Sequence, residues 1–278
     1  MPYIVDFRDP WPDSFAGYLP KVLWPALCPL ASYYRWIIRF AANNASGITS
    51  ISETMLKWAL SYKTKSLNAP HKAFPIGYKS PLKTEEPIVQ DVTETAPITA
   101  VFVGLFGSTH GGEKIIEAFN ILWEKGEKRA KCLMVGDGNF AALWREKAKG
   151  NPNIEFLGWA DKQKLREIMS RCHVGLIVLN DAIRKFWFGN KLFEYLASGL
   201  AVVAYASPEV SFLLEENSAG TAIHNGTSEE LAGAIERYIE NPVLLTLHRK
   251  NALDLFKREF VSDAIYTKFA EFIEGIVP

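Results

Sequence analysis

Residues 98–112 read ITAVFVGLFGSTHGG. A β-rich run of six residues, 98–103, passes into a loop with four glycines and the small polar Ser108 and Thr109. An unbroken apolar strand suits burial on both faces, and glycine lets the backbone turn tightly and bring its amides close to an anion. An amphipathic helical pattern begins at once, over 113–125. The unit is a strand, a glycine turn and a helix, and the chain repeats it outward from here.

Further apolar runs occur at 131–135, 154–157, 174–179, 201–205 and, weakly, 221–223. Helical patterns at 139–149, 162–170, 191–198, 209–216 and 228–240 separate or follow them. Strands alternating with helices of this length predict βαβ crossovers and a parallel, doubly wound sheet, an α/β Rossmann-like domain. Upstream, 3–7, 47–50 and 72–76 read as strands, with helices at about 29–43 and 53–62. The polar, proline-bearing stretch 80–97 reads as a linker, and 261–276 as a last amphipathic helix. We therefore expect a partial Rossmann-like domain over 1–80, a linker over 81–97 and a larger domain over 98–255. The tail 256–278 is expected to pack back toward the first domain. Three strands make a small open sheet, so the apolar strand 3–7 is expected to lack a neighbour.

With 278 residues, 48% hydrophobic and 22% charged, the composition is that of a globular protein. Zero net charge gives no general attraction to nucleic acid, which is not expected as a partner. Three widely spaced cysteines, Cys28, Cys132 and Cys172, match no metal spacing and are expected to be buried thiols in a reducing cytoplasm. No stretch reads as a membrane span. The segment 18–40 is rich in Trp, Tyr and Leu, with Lys21, Arg35 and Arg39 interspersed and three prolines early on. It reads either as a helix packed on its own core or as a surface resting on a bilayer, where aromatic bodies and basic heads are favoured.

Ligands of doubly wound sheets bind beyond the carboxyl ends of the strands, where helix N-termini hold phosphate. Three loops there are candidates. The first spans 104–112 and offers Gly107, Ser108, Thr109 and His110; it is neither GxGxxG nor a Walker A loop. The second is 135–138, where Gly136 could line a nucleotide and Asp137 could cap a turn. The third opens NKLFEYLASG at 190–199. There Asn190 reads as an N-cap and Gly199 as the residue past the helix end. Lys191, Glu194 and Ser198 share one helix face; either they form a plain surface pair, or Glu194 accepts from ribose hydroxyls while Lys191 offsets phosphate charge.

Taken in order, VGLFGSTHGG (103–112), LMVGDGNF (133–140), NIEFLGWADKQKLREIMSRCHVGLIVL (153–179), NKLFEYLASGLAVVA (190–204) and SAGTAI (218–223) resemble the C-terminal domain of family 4 glycosyltransferases of the GT-B fold. The resemblance runs over about 98–276. YIVDFRDPWPDS (3–14), ASGITSISETM (45–55) and FPIGY (74–78) resemble the end of that family's N-terminal domain. The resemblance implies a retaining transfer from a nucleoside diphosphate sugar to a glycan or lipid-linked acceptor in cell-surface polysaccharide or glycoconjugate synthesis. It implies no metal or other cofactor. The sparse cysteines suit a cytoplasmic location, and the bilayer reading of 18–40, the alternative to packing on a core, would place the protein peripherally on the inner face of the plasma membrane.

Residue by residue, Glu194 matches the second glutamate of the family's E-x7-E motif, the ribose ligand. Phe186 stands where the first glutamate is expected. Ser108 and His110 stand where the family's diphosphate-binding Arg and Lys are expected, so the amides of 107–112 and the cations Lys191, Arg184 and Lys185 are the substitutes. The nucleobase is expected near Gly158 and Trp159. Read this way, the chain starts inside the N-terminal domain, and no catalytic side chain is nominated. A sugar-nucleotide-binding subunit completed by a second chain is the alternative, and a GT-B epimerase is disfavoured by the KLFEYLASG run.

Overall fold

The computed structural model describes residues 2–14, 24–64, 69–79, 92–93 and 95–276. Residues 80–91, most of the expected linker, and 15–23, the start of the aromatic segment, lie outside these. The chain divides into two compact units. One comprises Met1–Lys79, Asp181–Phe188 and Phe260–Pro278; the other comprises Ser80–Asn180 and Gly189–Glu259.

The first unit contains β1 (Ile4–Phe7), α1 (Trp24–Asn44), β2 (Gly47–Ser50), α2 (Glu53–Ser61) and β3 (His71–Ala73). The three strands are parallel, in the order β1-β2-β3, so β1 has a strand on one side alone among the described residues. Phe7 and Ile48 point to a small core with Ile38 and Ala42 of α1 and Met55, Leu56 and Ala59 of α2. Ser52 caps α2 by accepting from the amide of Met55.

The second unit begins with β4 (Ile98–Val103), α3 (Gly112–Glu124), β5 (Ala130–Val135), α4 (Ala141–Lys147), β6 (Ile154–Gly158), α5 (Lys162–Met169) and β7 (Val174–Val178). A short helix, α6 (Asp181–Arg184), follows in the segment counted with the first unit. The second unit resumes with α7 (Asn190–Ala197), β8 (Ala201–Tyr205), α8 (Pro208–Glu216), β9 (Gly220–Ala222), α9 (Ser228–Glu240) and α10 (Pro242–Glu259). The last helix, α11 (Ser262–Glu274), returns to the first unit.

The sheet of the second unit is parallel throughout, in the order β6-β5-β4-β7-β8-β9. The order reverses beside β4, which is where an open α/β sheet opens a crevice for ligand. Every residue of β7 and β8 is buried, as the continuous apolar runs predict.

The structure departs from the sequence expectations in several places, one being Asp181–Phe188, expected within 98–255 and grouped with the first unit. The helix α10 went unread, because its buried face carries Thr246, His248 and Arg249 among the leucines. Asn190 is the first residue of α7, and Gly189 holds the cap position without a side-chain bond. Cys28 is exposed on α1, while Cys132 and Cys172 are buried and their thiols are pushed up by burial, Cys172 to about 12.

Candidate functional site

The loops after β4, β5 and β6 are stitched together by backbone hydrogen bonds. Gly104 donates to Val135 O at 2.9 Å, Phe106 to Asp137 O at 2.9 Å and Gly136 to Gly158 O at 2.8 Å. Asp137 accepts from the amide of Gly138 at 2.8 Å and closes its turn. Glycine is required where these loops touch. Gly136 has φ 138°, and a Cβ there would lie 1.9 Å from Gly104 O.

On its other side the 104–111 loop is fastened to the end of β7. Gly111 donates to Val178 O at 2.8 Å, Asn180 donates its backbone amide to Thr109 O at 3.2 Å, and the Asn180 side-chain amide donates to Ser108 O. Sequence reasoning passed over Asn180, although a polar residue directly after the apolar run VGLIVL was a visible signal. The loop delivers Gly107, Ser108, Thr109 and His110 to the N-terminus of α3. Gly111 caps that helix with no side-chain bond. The amides of its first turn therefore keep their partial positive charge for an incoming anion.

α7 is set against this loop by groups inside the fold. The buried Tyr195 hydroxyl accepts from the amide of Val103 at 3.0 Å and donates toward Leu176 O at 3.4 Å. From α10, Arg249 Nε donates to Gly199 O at 3.1 Å, just past the end of α7. Leu192, Phe193, Tyr195, Leu196 and Ala197 are buried, which leaves Lys191, Glu194 and Ser198 on the half-covered face.

Lys191 reaches the glycine loop. Its ammonium donates to His110 Nε2 at 2.8 Å and stands 5.0 Å from the Phe102 ring centre. Gly104 makes the space: a Cβ there would fall 2.1 Å from Lys191 Nζ. Burial lowers the Lys191 ammonium to about 8, opposed by the Glu194 carboxylate. Burial and then the Lys191 charge lower His110 to about 4. At neutral pH the pair is a cation and a neutral imidazole. Nε2 accepts from the ammonium, so the ring proton sits on Nδ1, 3.4 Å from Thr109 Oγ1.

Glu194 is pushed up by burial, with Lys191 and Lys162 pulling against that. Among the described residues no hydrogen bond to its carboxylate is found, so its oxygens remain acceptors for hydroxyls. Trp159, directly after Gly158, is 78% exposed. Lys114 in the first turn of α3 donates to Gly226 O at 2.7 Å and lies over the Tyr205 ring.

The remaining expected cations are engaged in the first unit. Arg184 pairs with Asp181 at 2.8 Å, and Lys185 lies 5.1 Å from the ring centre of Phe186. Phe186 itself packs on the first unit's core, 6.3 Å from the Trp58 ring. Among the described residues no group of three or more His, Cys, Asp or Glu side chains could hold a metal ion. No described helix is long and apolar enough to cross a membrane.

The profile of the glycosyl transferases group 1 family matches residues 97–241. Among solved structures, HepE from Anabaena, determined with UDP and glucose, superposes with a TM-score of 0.72 at 16% identity. It covers 98% of this chain and 71% of that one. A glycosyltransferase from Rickettsia africae gives 0.67 at 16% identity, over 99% and 77%. Sucrose-phosphate synthase from Thermosynechococcus elongatus gives 0.67 at 17% identity, over 88% and 62%. Likeness at this identity speaks to the fold, which is GT-B-like with Rossmann-like units. No curated protein matches the chain by sequence.

Proposed function

This chain belongs to the glycosyl transferases group 1 family, and we propose that its donor is a nucleoside diphosphate sugar, with uridine as the base. The acceptor in this proposal is a glycan or lipid-linked sugar of a cell-surface polysaccharide or glycoconjugate, and the transfer retains anomeric configuration. The observation that carries the donor assignment is the half-buried Lys191 ammonium held by His110 at the glycine loop, beside the uncapped start of α3. A partly desolvated cation close to a set of backbone amides complements a diphosphate.

In this proposal Lys191 and the amides of Gly107 to Gly112 hold the diphosphate. Ser108 and Thr109 donate their hydroxyls to it, and His110 keeps the ammonium aimed at it. The Glu194 carboxylate accepts from the ribose hydroxyls. Trp159 and Gly158 flank the base, an exposed ring being a stacking surface. Stabilising the departing diphosphate lowers the barrier where negative charge develops, without a protein nucleophile. The likeness to HepE, solved with UDP and glucose, supports UDP-glucose as the first donor to test.

The aromatic face of α1 supports a peripheral bilayer contact on the cytoplasmic side. Tyr33, Trp36 and Phe40 are each close to 60% exposed, with the Trp36 ring stacked at 6.2 Å on Tyr33 and at 5.9 Å on Phe40. A thermal-shift screen against UDP-, GDP- and dTDP-sugars tests the donor assignment. Stabilisation by UDP-sugars above the others is expected, and no response to any of them would sink it.

A further inference from the structure

Lys191 and a proton compete for one lone pair. The 2.8 Å bond from the ammonium to His110 Nε2 exists only while that nitrogen is unprotonated, since an imidazole nitrogen either accepts a hydrogen bond or carries a proton. The ring itself is held in place. It meets the Phe102 ring edge-on at 5.8 Å, and the His110 backbone bridges to Leu179 beyond β7. With Lys191 bonded to it, the imidazole is neutral, and both groups lie below their ordinary values.

Lys191 is the charge that acts on this ring, and Glu194 on the same helix acts on Lys191 in turn. On α3, Glu113 pairs with Lys147 at 2.9 Å, and Lys114 donates to Gly226 O at 2.7 Å. After β5, Asp137 is turned to the amide of Gly138. β4 and β7 present the Phe102 ring and the buried, apolar Val178 and Leu179.

The diphosphate of a nucleotide sugar carries two negative charges. Lys191 meets one, and the start of α3 adds about half a charge. The remainder falls to His110, the titratable side chain of the glycine loop. A permanent cation at that position, 2.8 Å from Lys191, would repel it at all times. An imidazole is neutral beside the ammonium and becomes a cation once an anion arrives. We propose that His110 takes up a proton when the diphosphate binds. The Lys191 ammonium turns its hydrogens to the phosphate oxygens and releases Nε2, Nε2 takes a proton from solvent, and the imidazolium donates to the diphosphate. This rests on the proposed donor. A group that gains a proton on binding tightens binding as pH falls. The window lies above about 4, where the free ring titrates, and apart from that of Lys191 near 8.

Calorimetry of the full chain with UDP-glucose at pH 6, in buffers of different ionisation enthalpy, counts the protons. The terminal phosphate of UDP would itself titrate near 6, whereas UDP-glucose has none. An uptake of about half a proton or more is expected, with affinity falling about fivefold or more from pH 5.5 to 7.5. His110→Gln, whose carboxamide oxygen can still accept from Lys191, should lose the uptake at pH 6 and keep that of Lys191 near pH 8. Wild-type NMR supplies a second reading. Among the five histidines, one Cε1 proton that does not titrate between pH 5 and 8 should do so, with a midpoint above 6, once UDP-glucose is added. Binding without proton uptake at pH 6, or with uptake unchanged in His110→Gln, overturns the proposal and leaves the donor assignment standing. No binding of UDP-glucose at any pH removes both.

Discussion

Lys191→Met removes a charge that the folded protein holds at a cost. Lowering the ammonium from 10.5 to about 8 corresponds to about 3 kcal/mol against the charged folded form. The folded state binds fewer protons at this site than the unfolded state does, between pH 8 and 10.5. Stability therefore rises with pH across that window, and the penalty is fully present below pH 8. Methionine escapes the penalty but leaves His110 Nε2 without its donor, which returns about 1–2 kcal/mol. The variant should be more stable than wild type by about 1–2 kcal/mol at pH 7. The gain should vanish or reverse by pH 10.5. Urea unfolding followed by tryptophan emission is a suitable assay, since Trp144 is buried in the second unit's core. A stability difference that stays constant from pH 7 to 10.5 would refute the account of a strained cation. The same variant should bind UDP at least about tenfold more weakly, because the charge retained at this cost is the one proposed to face the diphosphate.

Wild-type affinity for UDP should itself fall about tenfold from pH 7 to 9, as Lys191 titrates near 8; calorimetry showing no change across that range would argue against a lysine contact. Glu194→Ala should keep its far-UV spectrum and lose about tenfold or more in UDP-sugar affinity, from one charged hydrogen bond worth about 1.5–3 kcal/mol; wild-type affinity in this variant would remove the ribose assignment. Tyr195→Phe strands the Val103 amide that the hydroxyl serves and should cost about 1–3 kcal/mol in urea unfolding, so an unchanged midpoint counts against that link between α7 and β4. Trp36→Ser combined with Phe40→Ser should reduce co-sedimentation with phosphatidylglycerol vesicles if the α1 face rests on lipid; equal sedimentation would assign those rings to another role.

The strand–helix alternation from Ile98 onward was plain in the sequence because each element signals locally. β7 and β8 are unbroken apolar runs, and α9 pairs a Thr227 cap with a clean amphipathic period. Glycine turns announced the loops for the same reason, since Gly104 and Gly136 need conformations that other residues resist. α10 was hidden because its buried face spends polar residues on distant partners: His248 meets the Tyr238 hydroxyl at 2.8 Å, and Arg249 reaches Gly199 O. Such pairings leave no periodic trace. The site divides along the same line. Lys191, Glu194 and His110 could each be named from their local sequence, and Lys191 with Glu194 also read as a surface pair. Folding brings Lys191 to His110 across 81 positions and partly desolvates the ammonium beside Gly104. The energy of a buried charge depends on the groups packed around it. Residue type and local period are written in the chain, whereas desolvation and the meeting of distant side chains exist only once β4, β7 and α7 have packed.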